Sequence, residues 1–151
     1  MFVSFLQRKN MRRIPAIKSV MIAFPYSIDT SSTVENAQDY LLQHNIGHLP
    51  VTNGEELLGV ISARDISFYL LQEDSRNQRK VSDIPLGNTY IVDLDERLDS
   101  VLRNMADKRV DSALITRQGK LVGIFTCTDV CKSFARYLDE QFAPPDGDEA
   151  A

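Results

Sequence analysis

Leu57-Leu58-Gly59-Val60-Ile61-Ser62-Ala63-Arg64-Asp65-Ile66 and Leu121-Val122-Gly123-Ile124-Phe125-Thr126-Cys127-Thr128-Asp129-Val130 follow one pattern: an apolar run interrupted by Gly, a hydroxyl residue, two variable positions, then Asp and another apolar residue. The stretches lie 64 residues apart (57 to 121), and the same offset aligns Ile17–Leu70 with Val81–Phe134 without a gap. Identities along the alignment are Tyr26/Tyr90, Asp29/Asp93, Thr52/Thr116, Leu57/Leu121, Gly59/Gly123 and Asp65/Asp129. Apolar character repeats more widely, as in Val20/Ile84, Ile28/Val92, Val34/Leu98, Leu41/Met105, Val51/Ile115 and Val60/Ile124. Such a period marks a supersecondary unit used twice.

Each unit reads as β-α-β-β-α. A short extended stretch (Tyr26–Ile28; Tyr90–Leu94) comes first. Ser32-Thr33-Val34-Glu35 then has capping-box spacing and opens a helix whose apolar side holds Val34, Ala37, Leu41 and Leu42. Leu98, Val101, Leu102 and Met105 form the corresponding stripe, at the three- and four-residue spacing of one helix face. His48–Thr52, the turn signal Asn53-Gly54 and Leu57–Ser62 read as a hairpin, as do Ser112–Thr116, Gln118-Gly119 and Leu121–Thr126. A helix closes each unit, over Ala63–Gln72 and Cys127–Gln141, with Gly47 read as the end of the first repeat's earlier helix. The chain divides into an N-terminal extension (1–16), a first repeat (17–72), a polar surface linker (73–80) carrying Arg76, Arg79 and Lys80, a second repeat (81–141) and an acidic tail (142–151). Two units that each leave part of a sheet open can cover one another, so one α/β body is expected rather than two beads.

The doubled ending resembles the motif of CBS domains, and the chain is similar to a tandem pair of them, a Bateman module. Ile46-Gly47-His48-Leu49-Pro50-Val51 is likewise similar to that family's stretch before its second strand. The resemblance implies two repeats related by a pseudo-twofold axis and packed as one globular module. Clefts between them would bind an adenosine-containing ligand: AMP, ADP or ATP first, NAD or S-adenosylmethionine after these. It places Asp65 and Asp129 on ribose, Ser62 and Thr126 near phosphate, and Leu49 and Pro50 at the adenine pocket; Leu114 replaces Pro50 in the second copy. Tyr26 and Tyr90 are candidates for packing on adenine. It also implies a homodimer, an unidentified regulated protein and a sensing role, with no cofactor required.

Elementary chemistry points the same way at the junctions. Ser62 and Thr126 stand where a strand becomes a helix, and free N–H groups with the positive helix end favour an anion. Arg64 adds a cation to the first motif, where the second has Thr128, so the Arg64-bearing site is expected to prefer the more highly charged phosphate group. Ser62-x-x-Asp65 and Thr126-x-x-Asp129 are also capping-box spacings, and a cap can coexist with a ligand.

Other classes find less support. The 151 residues, 43% hydrophobic and 25% charged with net charge −4, describe a folded chain with no general attraction for nucleic acid or anionic membranes. Arg8, Lys9, Arg12 and Arg13 read as a solvated terminus. No apolar run reaches the roughly 20 residues of a membrane span, and Met1–Leu6 is too short for a signal core, so a cytoplasmic protein is expected. Met11 is a second possible start. No phosphate-binding loop, Gly-x-Ser-x-Gly or His-Glu-x-x-His occurs, and catalysis and a resident metal are not expected. Cys127 and Cys131 read as small buried hydrophobes rather than zinc ligands, although Cys127 lies near a helix start that favours thiolate. His44 and His48 share the same spacing but are not expected to pair on a metal. The competing reading is a structural or partner-docking module with no physiological nucleotide.

Overall fold

A computed structural model describes residues 13–72 and 79–142. The basic residues 8, 9 and 12, the two candidate start methionines, most of the linker and the tail beyond Phe142 lie outside the described residues. A one-turn 3-10 helix (Ile17–Ser19) leads into β1 (Ile22–Ala23) and β2 (Ile28–Asp29), followed by α1 (Val34–His44), β3 (His48–Asn53), β4 (Glu56–Ser62) and α2 (Ala63–Gln72). A second 3-10 turn (Val81–Asp83) opens the other half, with β5 (Ile91–Asp93), α3 (Leu98–Lys108), β6 (Ser112–Arg117), β7 (Lys120–Thr126) and α4 (Cys127–Phe142). One sheet has the order β2-β3-β4 and the other β1-β7-β6-β5. In each, a parallel pair (β2 with β3, β5 with β6) adjoins an antiparallel hairpin. The register slip between Val51 and Thr52 recurs between Ile115 and Thr116, so the repeat extends to irregularities of the ladder.

The leading segments are exchanged. Val34 N–H donates to Arg79 O (2.9 Å), Val81 N–H to Ser32 O (2.8 Å) and Ser82 N–H to Thr30 O (3.0 Å). Sixty-four residues away in register, Leu98 N–H donates to Pro15 O (2.9 Å), Ile17 N–H to Glu96 O (2.8 Å) and Lys18 N–H to Leu94 O (3.2 Å). Ile17 is accordingly buried in the second repeat's core with Val101, Met105 and Phe125, while Val81 and Ile84 are buried in the first with Val34, Leu41 and Ile61. Reciprocal contacts of this kind are what a twofold relation produces.

Several local expectations are corrected. Thr33, not Ser32, caps α1, accepting from Asn36 N–H at 3.1 Å, because Ser32 is engaged through its carbonyl by the incoming Val81. The helix ends at His44 with Asn45 left-handed, ahead of Gly47, and Leu42 falls off the buried stripe. Arg79 and Lys80 are no free surface linker: Arg79 is buried beside the Tyr69 ring and Lys80 bridges to Thr33. Both cysteines are exposed, since α4 buries none of its residues.

The matched glycines lie beneath the exchanged segments. A Cβ on Gly59 would stand 2.7 Å from Thr89 Oγ1 and 3.1 Å from Leu86 Cδ1. One on Gly123 would collide with Met21 Sδ and stand 3.3 Å from Ile22 O, in the strand that pairs with β7. Met21 can swing aside, but the carbonyl cannot without loosening β1. Gly123→Val is therefore expected to cost about 1–3 kcal/mol, read as a lower denaturant midpoint at unchanged slope. Gly47→Val, with nothing within 4 Å of its Cβ, should cost less; equal losses would contradict the crossing-segment account.

Candidate functional site

The strand-to-helix junction after β4 is held by a closed pair of bonds. Ser62 N–H donates to Asp65 Oδ2 at 2.8 Å, and Asp65 N–H donates to Ser62 Oγ at 3.1 Å. After β7, Thr126 N–H (2.8 Å) and Thr126 Oγ1 (2.9 Å) both donate to Asp129 Oδ2. The capping box is thus closed at the first junction and half made at the second, where the Thr126 hydroxyl donates to Asp129 rather than accepting its N–H, and each carboxylate keeps Oδ1 without a bond from the described residues. The expected supply of free N–H groups is smaller than the spacing implied: Ala63 N–H donates to Gly47 O and Cys127 N–H to Asp111 O. Of the backbone N–H groups at Ser62–Asp65, that of Arg64 has no recorded acceptor among the described residues.

A cleft of about 440 Å³ opens at the first junction. That volume falls in the range of small-ligand sites. Val60, Ser62, Arg64 and Asp65 line it from the first repeat; Arg109, Val110, Asp111 and Ser112, from the α3–β6 turn, line it from the second. Gly87 and Asn88 of the exchanged segment and His48 of β3 complete it. Neither Arg64 nor Arg109 has an ion-pair partner among the described residues, although two carboxylates share the cleft. Asp65 is engaged in its cap, while Asp111 Oδ1 lies 3.1 Å from His48 Nε2, without hydrogen-bond alignment. The cleft therefore combines an acceptor at Asp65 with two uncommitted guanidiniums, suited to a hydroxylated ligand bearing negative charge.

Only part of the candidate set gathers there. Ser62, Arg64 and Asp65 line this cleft; Thr126, Thr128 and Asp129 do not. Leu49 and Pro50 are buried within the sheet, with Pro50 opposite Val60, so neither reaches the cleft. Tyr26 stacks on His44 (centroids 3.8 Å apart) and Tyr90 lies under Lys108 Nζ (5.9 Å), each ring packing on the end of its own repeat's helix. Pro50 also shortens a ladder. Leu114 N–H donates to Tyr90 O at 2.8 Å, whereas Pro50 has no N–H to offer Tyr26, and β2 spans two residues where β5 spans three. Asp29 accepts from Ser31 N–H, Ser31 Oγ and Gly54 N–H, pinning the hairpin turn. These bonds, the Ser31 hydroxyl foremost, hold its carboxyl below the usual range.

Arg109, Asp111, Asn88 and His48 were not singled out as wall residues. Their only sequence signal is disagreement with the other repeat, which has Asn45, Gly47, Phe24 and Ser112 at those positions. The Cys127 thiol is pushed up by burial, then by the Asp111 charge and Cys131, so the helix start does not yield a ready thiolate. No group of three or more potential metal ligands occurs among the described residues, and no helix there is long and apolar enough to cross a membrane.

Comparison with known proteins agrees with this architecture. The CBS domain family description matches residues 17–72 and 81–136. The chain is 29% identical to the Bacillus subtilis (strain 168) protein YlbB over 119 residues, covering 78% of this chain and 80% of YlbB. It is 26% identical to inosine-5'-monophosphate dehydrogenase of Thermoplasma acidophilum over 124 residues, 80% of this chain but 24% of the dehydrogenase. The chain thus spans about a quarter of the length of that enzyme and of similar relatives. Among solved structures, the CBS domain pair of protein MJ0100, in complex with 5'-methylthioadenosine and S-adenosyl-L-methionine, superposes with TM-score 0.74 at 25% identity, over 83% of this chain and 99% of that one. With two matched repeats built into one exchanged α/β body, the chain belongs to the CBS domain family.

Proposed function

We propose that this CBS pair is a non-catalytic regulatory module that binds an adenosine-containing ligand, AMP, ADP or ATP, between its repeats and alters a partner protein in response. The observation that carries the reading is Asp65: one carboxylate oxygen fixes the helix start, and the other remains free in a cleft bounded by both repeats. A vicinal diol can donate to that oxygen, and a bond to a charged acceptor contributes about 1.5–3 kcal/mol. Arg64, with its free N–H and guanidinium, is the phosphate-facing group, and a ligand touching both walls favours one mutual arrangement of the repeats. The ligands named for the MJ0100 pair share the adenosine moiety, which supports the class.

Adenosine, AMP, ADP and ATP should each be tested in a thermal melt. A ligand at one hundred times its dissociation constant stabilises by about 2.7 kcal/mol, a rise of about 5–10 °C in Tm. Asp65→Asn should weaken the same ligand about 10–100-fold by calorimetry. No shift with any of them would favour the docking module with no nucleotide, and an unaltered affinity in Asp65→Asn would overturn Asp65 as the ribose acceptor.

The homodimer belongs to the same reading. Helix α4 buries no residue and exposes Phe134, Tyr137, Leu138 and Phe142, while α2 exposes Phe68 and Leu71. Cys131, Phe134, Leu138 and Phe142 recur at three- and four-residue spacing on one face. A second copy of the same helix would cover that apolar stripe. Sedimentation equilibrium should return twice the 17.0 kDa chain mass, and Phe134→Asp with Leu138→Asp should halve it. A monomeric parent protein would contradict the pairing.

A further inference from the structure

We infer that Arg109 is the residue by which the cleft discriminates charge, closing with Arg64 on a ligand that carries two or more phosphates. This deepens the adenosyl reading and rests on it for the nucleoside part only.

Arg109 sits at the C-terminal cap of α3 with φ 53° and ψ 43°, and the equivalent cap in the first repeat is Asn45 at φ 50° and ψ 48°. Asn tolerates the left-handed region because its short side chain bonds locally; Arg has no such compensation. An unfavourable residue at a constrained position, with its side chain in a cleft, invites a reason beyond the fold. The cleft supplies one. Arg109 and Arg64 come from different repeats to line the same cleft, and neither guanidinium is neutralised by a described residue. The carboxylates there are otherwise placed, Asp65 in its cap and Asp111 beside His48. An uncommitted cation on each side fits an anion long enough to reach both, and guanidiniums accept phosphate oxygens in pairs. Asn45 and Thr128 occupy the corresponding positions at the other junction, which lacks both cations. A single phosphate next to ribose would reach Arg64, which adjoins Asp65; the second and third phosphates extend toward Arg109.

The test is calorimetric titration of adenosine, AMP, ADP, ATP and inorganic tripolyphosphate into the full chain and into Arg109→Asn. Asn is the residue the other repeat already carries at this backbone geometry, so the unfolding midpoint should be unchanged or higher. ADP and ATP are expected to lose about tenfold or more in the variant, adenosine should change less than about twofold, and tripolyphosphate should lose its binding. If adenosine binds and the variant takes ADP and ATP as well as the parent does, the charge clamp is overturned while the adenosyl reading stands. If tripolyphosphate binds through Arg109 and no nucleoside binds, the clamp stands and the adenosyl reading falls. Binding of none of the five overturns both, and an equal loss for adenosine and ATP would show that Arg109 does not discriminate charge.

Discussion

Everything in this molecule depends on backbone exchange between the two halves. The segment ahead of each repeat gives its carbonyl to the first turn of the other repeat's helix, Arg79 to Val34 and Pro15 to Leu98, and then buries an isoleucine or valine in the other's core. Helix N-termini begin with unsatisfied N–H groups, and here the first of them, on Val34 and on Leu98, is satisfied by the exchanged segment. Neither core is complete alone: Ile17 fills one, Val81 and Ile84 the other. The cleft inherits this arrangement, because Gly87 and Asn88 belong to an exchanged segment and its lining comes from both repeats.

A near-symmetric scaffold makes its departures from symmetry informative. The equivalent junctions share a hydroxyl residue, a capping Asp and the glycine under the crossing strand, and those matches are explained by folding. What folding does not require is found where the repeats differ: Arg64 against Thr128, Arg109 against Asn45, Asp111 against Gly47. These differences concentrate charge on one cleft. Duplication supplies the shape, and divergence sets the charges that line it.

The element order was legible because periodicity, turn residues and repetition agreed. The motif Asp65, its Ser62 partner and Arg64 were legible for the same reason, since a strand-to-helix junction announces itself locally. The exchange was not, because no local pattern tells whether Ile17 fills its own repeat's core or the neighbour's. Ser32 was misread as a cap for that reason; its carbonyl was already committed to a segment nearly fifty residues away. Cys127 and Cys131 were misread as buried because α4 leaves its apolar face open, which no spacing within the helix discloses. Arg109 was invisible for the complementary reason: a lone arginine at a helix end becomes a wall residue only when the other repeat is set opposite it.

The central claim is that the space between the repeats at Asp65 receives a ribose. It is tested most directly by a crystal structure of the full chain grown with ADP. The account predicts a ribose hydroxyl within hydrogen-bond distance of Asp65 Oδ1, with the phosphates directed between the two wall arginines. An ADP bound elsewhere, or an Asp65 carboxylate still facing only solvent beside an occupied pocket, would contradict it.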